Sequence, residues 1–129
     1  MLQLRIWSAY LMCQGLAGAV WWGCLVGIPA TRDYFKPPDA PDWAILSFWL
    51  ADLTIFVVGS LLSAVLILKA SPLAKPVLWF TAGGTCYASL YCAGLSLLTG
   101  GVWLASGAML PAMCVTLWIS VQYEMRCRS

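Results

Sequence analysis

The stretch WAILSFWLADLTIFVVGSLLSAVLIL, residues 43–68, decides the fold. It runs between Asp42 and Lys69 and carries one charge, Asp52, in 26 residues. Coiled as a helix it reaches about 39 Å, more than the ~30 Å hydrocarbon core of a bilayer. Apolar side chains follow one another on every face, with no alternation of period two, so a membrane helix is the reading and a membrane β-barrel is excluded.

The rest of the chain repeats this pattern. Between Arg5 and Arg32 lie 26 uncharged residues, and from Pro76 to Tyr123 there are 48 without a charge. The second gap is too long for one span and suits two, joined by a tight turn at Gly100-Gly101. The expected architecture is a single all-α membrane domain over residues 1–129. It is a four-transmembrane-helix bundle, with helices near 7–28, 43–68, 77–98 and 102–121. A cleaved signal peptide is the rival for the first helix, but its apolar run is longer than the usual ~7 to 15 residues, so it is retained as a span.

Composition agrees. Charged residues are 9% of the chain, against about 25% in soluble domains, and mean hydropathy is +0.85. A soluble domain of this size could not hide so much apolar surface. The net charge of +2 leaves no basic stripe for nucleic acid. Soluble enzymes, disordered tails and secreted disulfide scaffolds are set aside on the same grounds.

Lys and Arg placement sets the expected orientation. Arg5, Lys69, Lys75, Arg126 and Arg128 fall on one side, and Arg32 and Lys36 on the other. Both termini are therefore expected in the cytoplasm, in a cell or inner membrane. Trp7, Trp79 and Trp118 then reach the inner headgroups and Trp21, Trp22, Trp43 and Trp103 the outer ones, while Trp49 falls inside the membrane. The loop 29–42 holds four of the seven prolines and is expected to form a stiff extended strap, with Asp42 capping the next helix.

Helices in lipid associate through close backbone approach at small residues. Gly15, Ala19, Gly23 and Gly27 recur every fourth position in the first helix. Gly84, Ala88, Cys92 and Ser96 do so in the third, and Ala108, Ala112, Thr116 and Ser120 in the fourth. The plain expectation is an internally packed bundle; the sharper one is a stripe that faces outward to a second copy or another subunit. Pro111 is expected to kink the fourth helix.

Six cysteines occur without a CxxC pair and without any His, which speaks against a metal or haem site; no cofactor is expected. Five sit within the expected helices, where apolar surroundings keep a thiol neutral and inert, and Cys86 and Cys92, on different helix faces, are expected as packing residues. Cys127, between Arg126 and Arg128, is a free cytosolic thiol or an acylation site.

Asp52 is the residue that needs a reason. A mid-helix Asp costs ~2.5 to 3.5 kcal/mol on insertion and normally faces the bundle interior or a wet cavity. No Lys, Arg or His lies in any expected span. The acid is thus protonated, bonded to hydroxyls, or paired with a positive ligand. On an ideal wheel it shares its face with Trp49, Phe56, Gly59 and Ser63. Candidate partners are Tyr87 and Tyr91 in the third helix, Gln14 and Tyr10 in the first, and Thr116 in the fourth. Asp52, Trp49, Tyr87, Tyr91, Gln14 and Thr116 form the candidate ligand-binding set. One reading is a neutral acid that glues helices. The other is a site for an amine, held by charge pairing and cation–π attraction, or for a proton.

Pro41, Trp43, Ser47-Phe48 and Asp52-Leu53 together resemble the second helix of the EXPERA group of membrane proteins, which includes sterol isomerases. That resemblance implies a lipid or sterol-like amine held by the acid at Asp52. Catalysis in that group uses more than one ionisable group, whereas this chain offers one in its spans.

Three functional classes follow. The first, and leading, expectation is a non-enzymatic accessory or assembly subunit of a membrane complex, which rests on the small-residue stripes and the lack of a catalytic set. The second is a lipid- or amine-binding protein, or a proton-coupled small transporter, centred on Asp52. The third is an intramembrane isomerase using Asp52 and a Tyr. Expected partners are the bilayer, other membrane subunits or a second copy, and a hydrophobic or amine small molecule, with no nucleic acid.

Overall fold

A computed structural model describes residues 1–128. The described chain is all-helical. α1 spans Leu2–Gly27. A second rod is built from α2 Asp42–Leu46, α3 Trp49–Ala51, a π-helix Asp52–Val58 and α4 Gly59–Leu68. α5 covers Ala74–Thr99 and α6 Trp103–Arg128. Three of these rods, Leu2–Gly27, Asp42–Leu68 and Trp103–Arg128, are long and apolar enough to cross a membrane. α5 equals α1 and α6 in length, but threonines, serines and tyrosines lower its hydropathy.

The second rod departs from the single straight helix expected over 43–68. It is broken at Ser47-Phe48 and widened to π geometry from Asp52 to Val58. Hydroxyls compete for the backbone there: Ser47 Oγ donates to Ala44 O at 3.1 Å, and Thr54 Oγ1 to Leu50 O at 2.7 Å and Ala51 O at 3.2 Å. The β-branched run Thr54, Ile55, Val57 and Val58 further lowers α-helical preference.

The strap is likewise not extended as expected. Its first half, Pro29–Tyr34, is a 3-10 helix. The last turn of α1 leaves unpaired carbonyls, and the strap supplies donors to them. Thr31 Oγ1 reaches Ile28 O at 2.7 Å, and Arg32 reaches Leu25 O at 2.7 Å and Val26 O at 3.1 Å. Asp42 caps no backbone, because two cations take its carboxylate: Arg32 and Lys36, each at 2.8 Å.

The turn at Gly100-Gly101 forms as expected. Gly100 closes α5 with φ 68°, a left-handed conformation natural to glycine, and its N–H bonds Ser96 O at 2.9 Å. Pro38 packs on Gly101, so the strap and this turn share one end of the bundle. The two chain ends share the other, where Arg126 donates to Gln3 and Lys75 pairs with Glu124. α6 continues unbroken through Pro111.

Close approach uses some of the expected small residues and misses others. α1 buries Trp7, Leu11, Gln14, Gly18, Trp22 and Leu25, in steps of three and four. Gly15 and Gly18 seat Leu61 and Phe56, whereas Gly23 and Gly27 meet nothing within 4 Å. Each strict four-residue step overshoots a turn by about 40°, so the Gly15, Ala19, Gly23, Gly27 series winds out of the interface. Ala108 is exposed for the same reason, while Thr116 and Ser120 are buried. Gly84 packs on Ile55 and Gly59 on Thr81.

The apolar core lies at the terminal end, where Trp7, Leu11, Ile67, Leu78, Ile119 and Tyr123 meet. Toward the strap end the packing opens into a cavity.

Candidate functional site

The cavity holds about 290 Å³ and is walled by all four rods and the strap. α1 contributes Trp21 and Trp22. The second rod contributes Phe48, Ala51, Asp52, Ile55 and Phe56, and α5 contributes Gly84, Tyr87, Ala88, Tyr91 and Cys92. Its aromatic rings are coupled: Phe48 and Tyr91 have centroids 5.1 Å apart, and Trp21 contacts both Trp22 and Phe35 at 5.3 Å.

One carboxyl and one amine line the cavity, on Asp52 and Lys36. The Lys36 ammonium is committed elsewhere, 2.8 Å from Asp42 and 3.1 Å from Asp33. Hydrogen bonds to Asp42 first and Asp33 second hold its pKa above the ordinary lysine value. Asp52 forms no ion pair among the described residues. The buried Trp22 indole N–H lines the same cavity and makes no hydrogen bond. A carboxylate with aromatic walls, room beside it and no cation of its own is equipped to receive one.

The expected set divides. Asp52, Tyr87 and Tyr91 share the cavity. Trp49 does not line it and is 50% exposed. Gln14 and Thr116 belong to a separate buried network, in which Thr116 Oγ1 donates to Gln14 Oε1 at 3.1 Å and Gln14 Nε2 to Ser60 Oγ at 3.0 Å. That network joins α1, α4 and α6 as glue. Gly59 and Ser63, placed beside Asp52 by an ideal wheel, instead meet Thr81 of α5. A wheel of 3.6 residues per turn fails across seven residues of π-helix, where bonds run to the fifth residue.

Sequence reasoning missed Trp22, Phe48 and Cys92. Trp22 reads as a headgroup anchor by its position near a span end, yet it is 5% exposed. Its spacing from Leu11, Gln14 and Gly18 on one helical face was the available signal. All six cysteines are free.

Compared with protein-family models, curated proteins and solved structures, the chain matches none.

Proposed function

We propose that this chain is a four-span integral membrane protein with both ends in the cytoplasm, and that it binds a small molecule carrying a positively charged amine at Asp52. The observation that carries the binding reading is the uncompensated carboxylate in an aromatic cavity. Three rods meet the length and hydropathy of a span. α5 supports the count of four, because it is as long as α1 and bears a single charge, Lys75, at its first turn. The excess of Lys and Arg at the end that holds both termini supports the orientation.

In this role Asp52 supplies the countercharge. The faces of Phe48, Phe56, Tyr87 and Tyr91 add cation–π attraction, which strengthens where water is excluded. Asp52→Asn keeps the shape and removes the charge. The expected result is a folded protein that no longer binds dodecylamine in lipid nanodiscs; unchanged binding sinks the proposal.

A second reading, an accessory subunit, is favoured by the open faces of Gly23 and Gly27, which pack on nothing within the chain. A copurifying subunit lost on Gly23→Leu is its test.

A further inference from the structure

Three buried side-chain polar atoms have no hydrogen-bond partner among the described residues: Ser8 Oγ, Trp21 Nε1 and Trp22 Nε1. Ser8 lies near the start of α1, whereas both indoles line the Asp52 cavity. Two other tryptophans show the ordinary outcome. Trp79 Nε1 donates to Glu124 at 2.8 Å, and Trp103 Nε1 to Gly100 O at 3.1 Å. Buried donors are seldom left unmade, because the hydration they lose is then not replaced. Phenylalanine would fill the same wall without that cost.

The wall that carries the two donors is packed. Trp22 is 5% exposed. Trp21 lies beside it and against Phe35 of the strap, with ring centroids 5.3 Å apart in both pairs.

An amine at Asp52 leaves these donors unmet. An indole nitrogen only donates, and an ammonium likewise brings donors and no acceptor. The group that satisfies Trp22 must therefore be an acceptor on the ligand. A carboxylate or phosphate sets a negative charge beside Asp52 in an apolar cavity, which is unfavourable. An alcohol brings a further O–H to be satisfied. A carbonyl oxygen is uncharged, adds no donor and has two lone pairs, enough for both indoles. Its flat frame also suits the aromatic pair Phe48 and Tyr91, whose centroids are 5.1 Å apart.

We infer that the ligand of this cavity carries a carbonyl group, whose oxygen accepts the indole N–H of Trp22, with the Trp21 N–H beside it, in addition to the group that meets Asp52. This rests on the reading of the cavity as a ligand site and adds a second group by which the ligand is recognised.

The test uses the full chain in detergent micelles with isotope-labelled indole nitrogens. It follows the Trp22 N–H resonance, assigned by its loss in Trp22→Phe. Acetophenone and isopropenylbenzene share a shape and differ in one group, a carbonyl oxygen against a methylene. Acetophenone is expected to bind about tenfold more tightly after correction for partitioning, and to move the Trp22 resonance downfield as a new hydrogen bond does. In Trp22→Phe that preference is expected to fall below about threefold, while Trp103→Phe, whose indole is bonded at the turn, keeps it. Equal corrected affinities on the unaltered chain overturn the inference, as does a preference that survives in Trp22→Phe. A Trp22 resonance that already lies downfield without ligand and moves upfield in Asp52→Asn overturns it too, because the acid is then the partner of that donor. The affinity comparison on the unaltered chain decides the matter if Trp22→Phe does not fold. The two readings fail separately: acetophenone has no charge and reports on Trp22 alone, whereas dodecylamine has no acceptor and reports on Asp52 alone.

Discussion

At the scale of single residues, two polar side chains within apolar runs, Gln14 and Asp52, do opposite things. Gln14 satisfies its amide on both sides, between Ser60 and Thr116. Its replacement by Leu leaves those hydroxyls without their interhelical partner, and the expected cost is about 1 to 2 kcal/mol, read as earlier unfolding in a detergent titration. Asp52 has no such closure. Its replacement by Asn removes a charge whose insertion is unfavourable, so the melting temperature of the ligand-free protein is expected to stay level or rise. A marked fall in Asp52→Asn would identify the acid as glue. Lys36 behaves differently again. Its partners raise its pKa, so its ion pairs with Asp33 and Asp42 are fully present below the ordinary lysine value and are lost only as pH climbs through the raised one, while the Arg32–Asp42 pair stays. Chymotryptic cleavage at Tyr34 and Phe35 is expected to stay flat from about pH 6 to 9 and to rise above that range.

At the scale of elements, adjacent glycines of α5 separate contact from composition. A side chain at Gly84 collides with Ile55 of the π-helix, while one at Gly83 meets open space. Gly84→Val is expected to destabilise by about 1 to 3 kcal/mol, as overpacking does. Gly83→Val is expected to cost much less, and equal losses in thermal melts would show that α5 and the π-helix are not in contact. The existence of the helical rods and their inner ends were legible, because long apolar runs between charges mark them, whereas α1 begins at Leu2 rather than near 7 and α6 runs on to Arg128 rather than ending near 121. The break at Ser47-Phe48 and the π segment were not. They arise where side-chain hydroxyls and β-branched residues outweigh the regular ladder, and that balance depends on the neighbours α1 and α5 supply.

At the scale of the whole molecule, the terminal half is packed and the strap half is open, so one end of the bundle serves stability and the other holds the cavity. The strap covers that cavity through Arg32, which bridges the last turn of α1 and Asp42. The proposed topology puts Tyr34 and Cys127 on opposite sides of the membrane. In a background with the other cysteines replaced, an impermeant maleimide added outside intact cells is expected to label Tyr34→Cys and to spare Cys127. Labelling of both from one side would end the four-span arrangement.

Residue order alone determined that the chain is helical and rich enough in apolar surface for membrane spans, since span length, charge gaps and turn glycines are local properties that need no partner. It also singled out Asp52, because a lone acid in an apolar run is costly wherever the run folds. Only the tertiary structure decided which aromatics surround that acid. Trp22, Phe48, Tyr87 and Tyr91 come from three rods, and their convergence depends on how small residues let the helices approach, while Asp52 and Phe56 reach the same cavity from a π-helix whose side chains depart from ideal-helix positions.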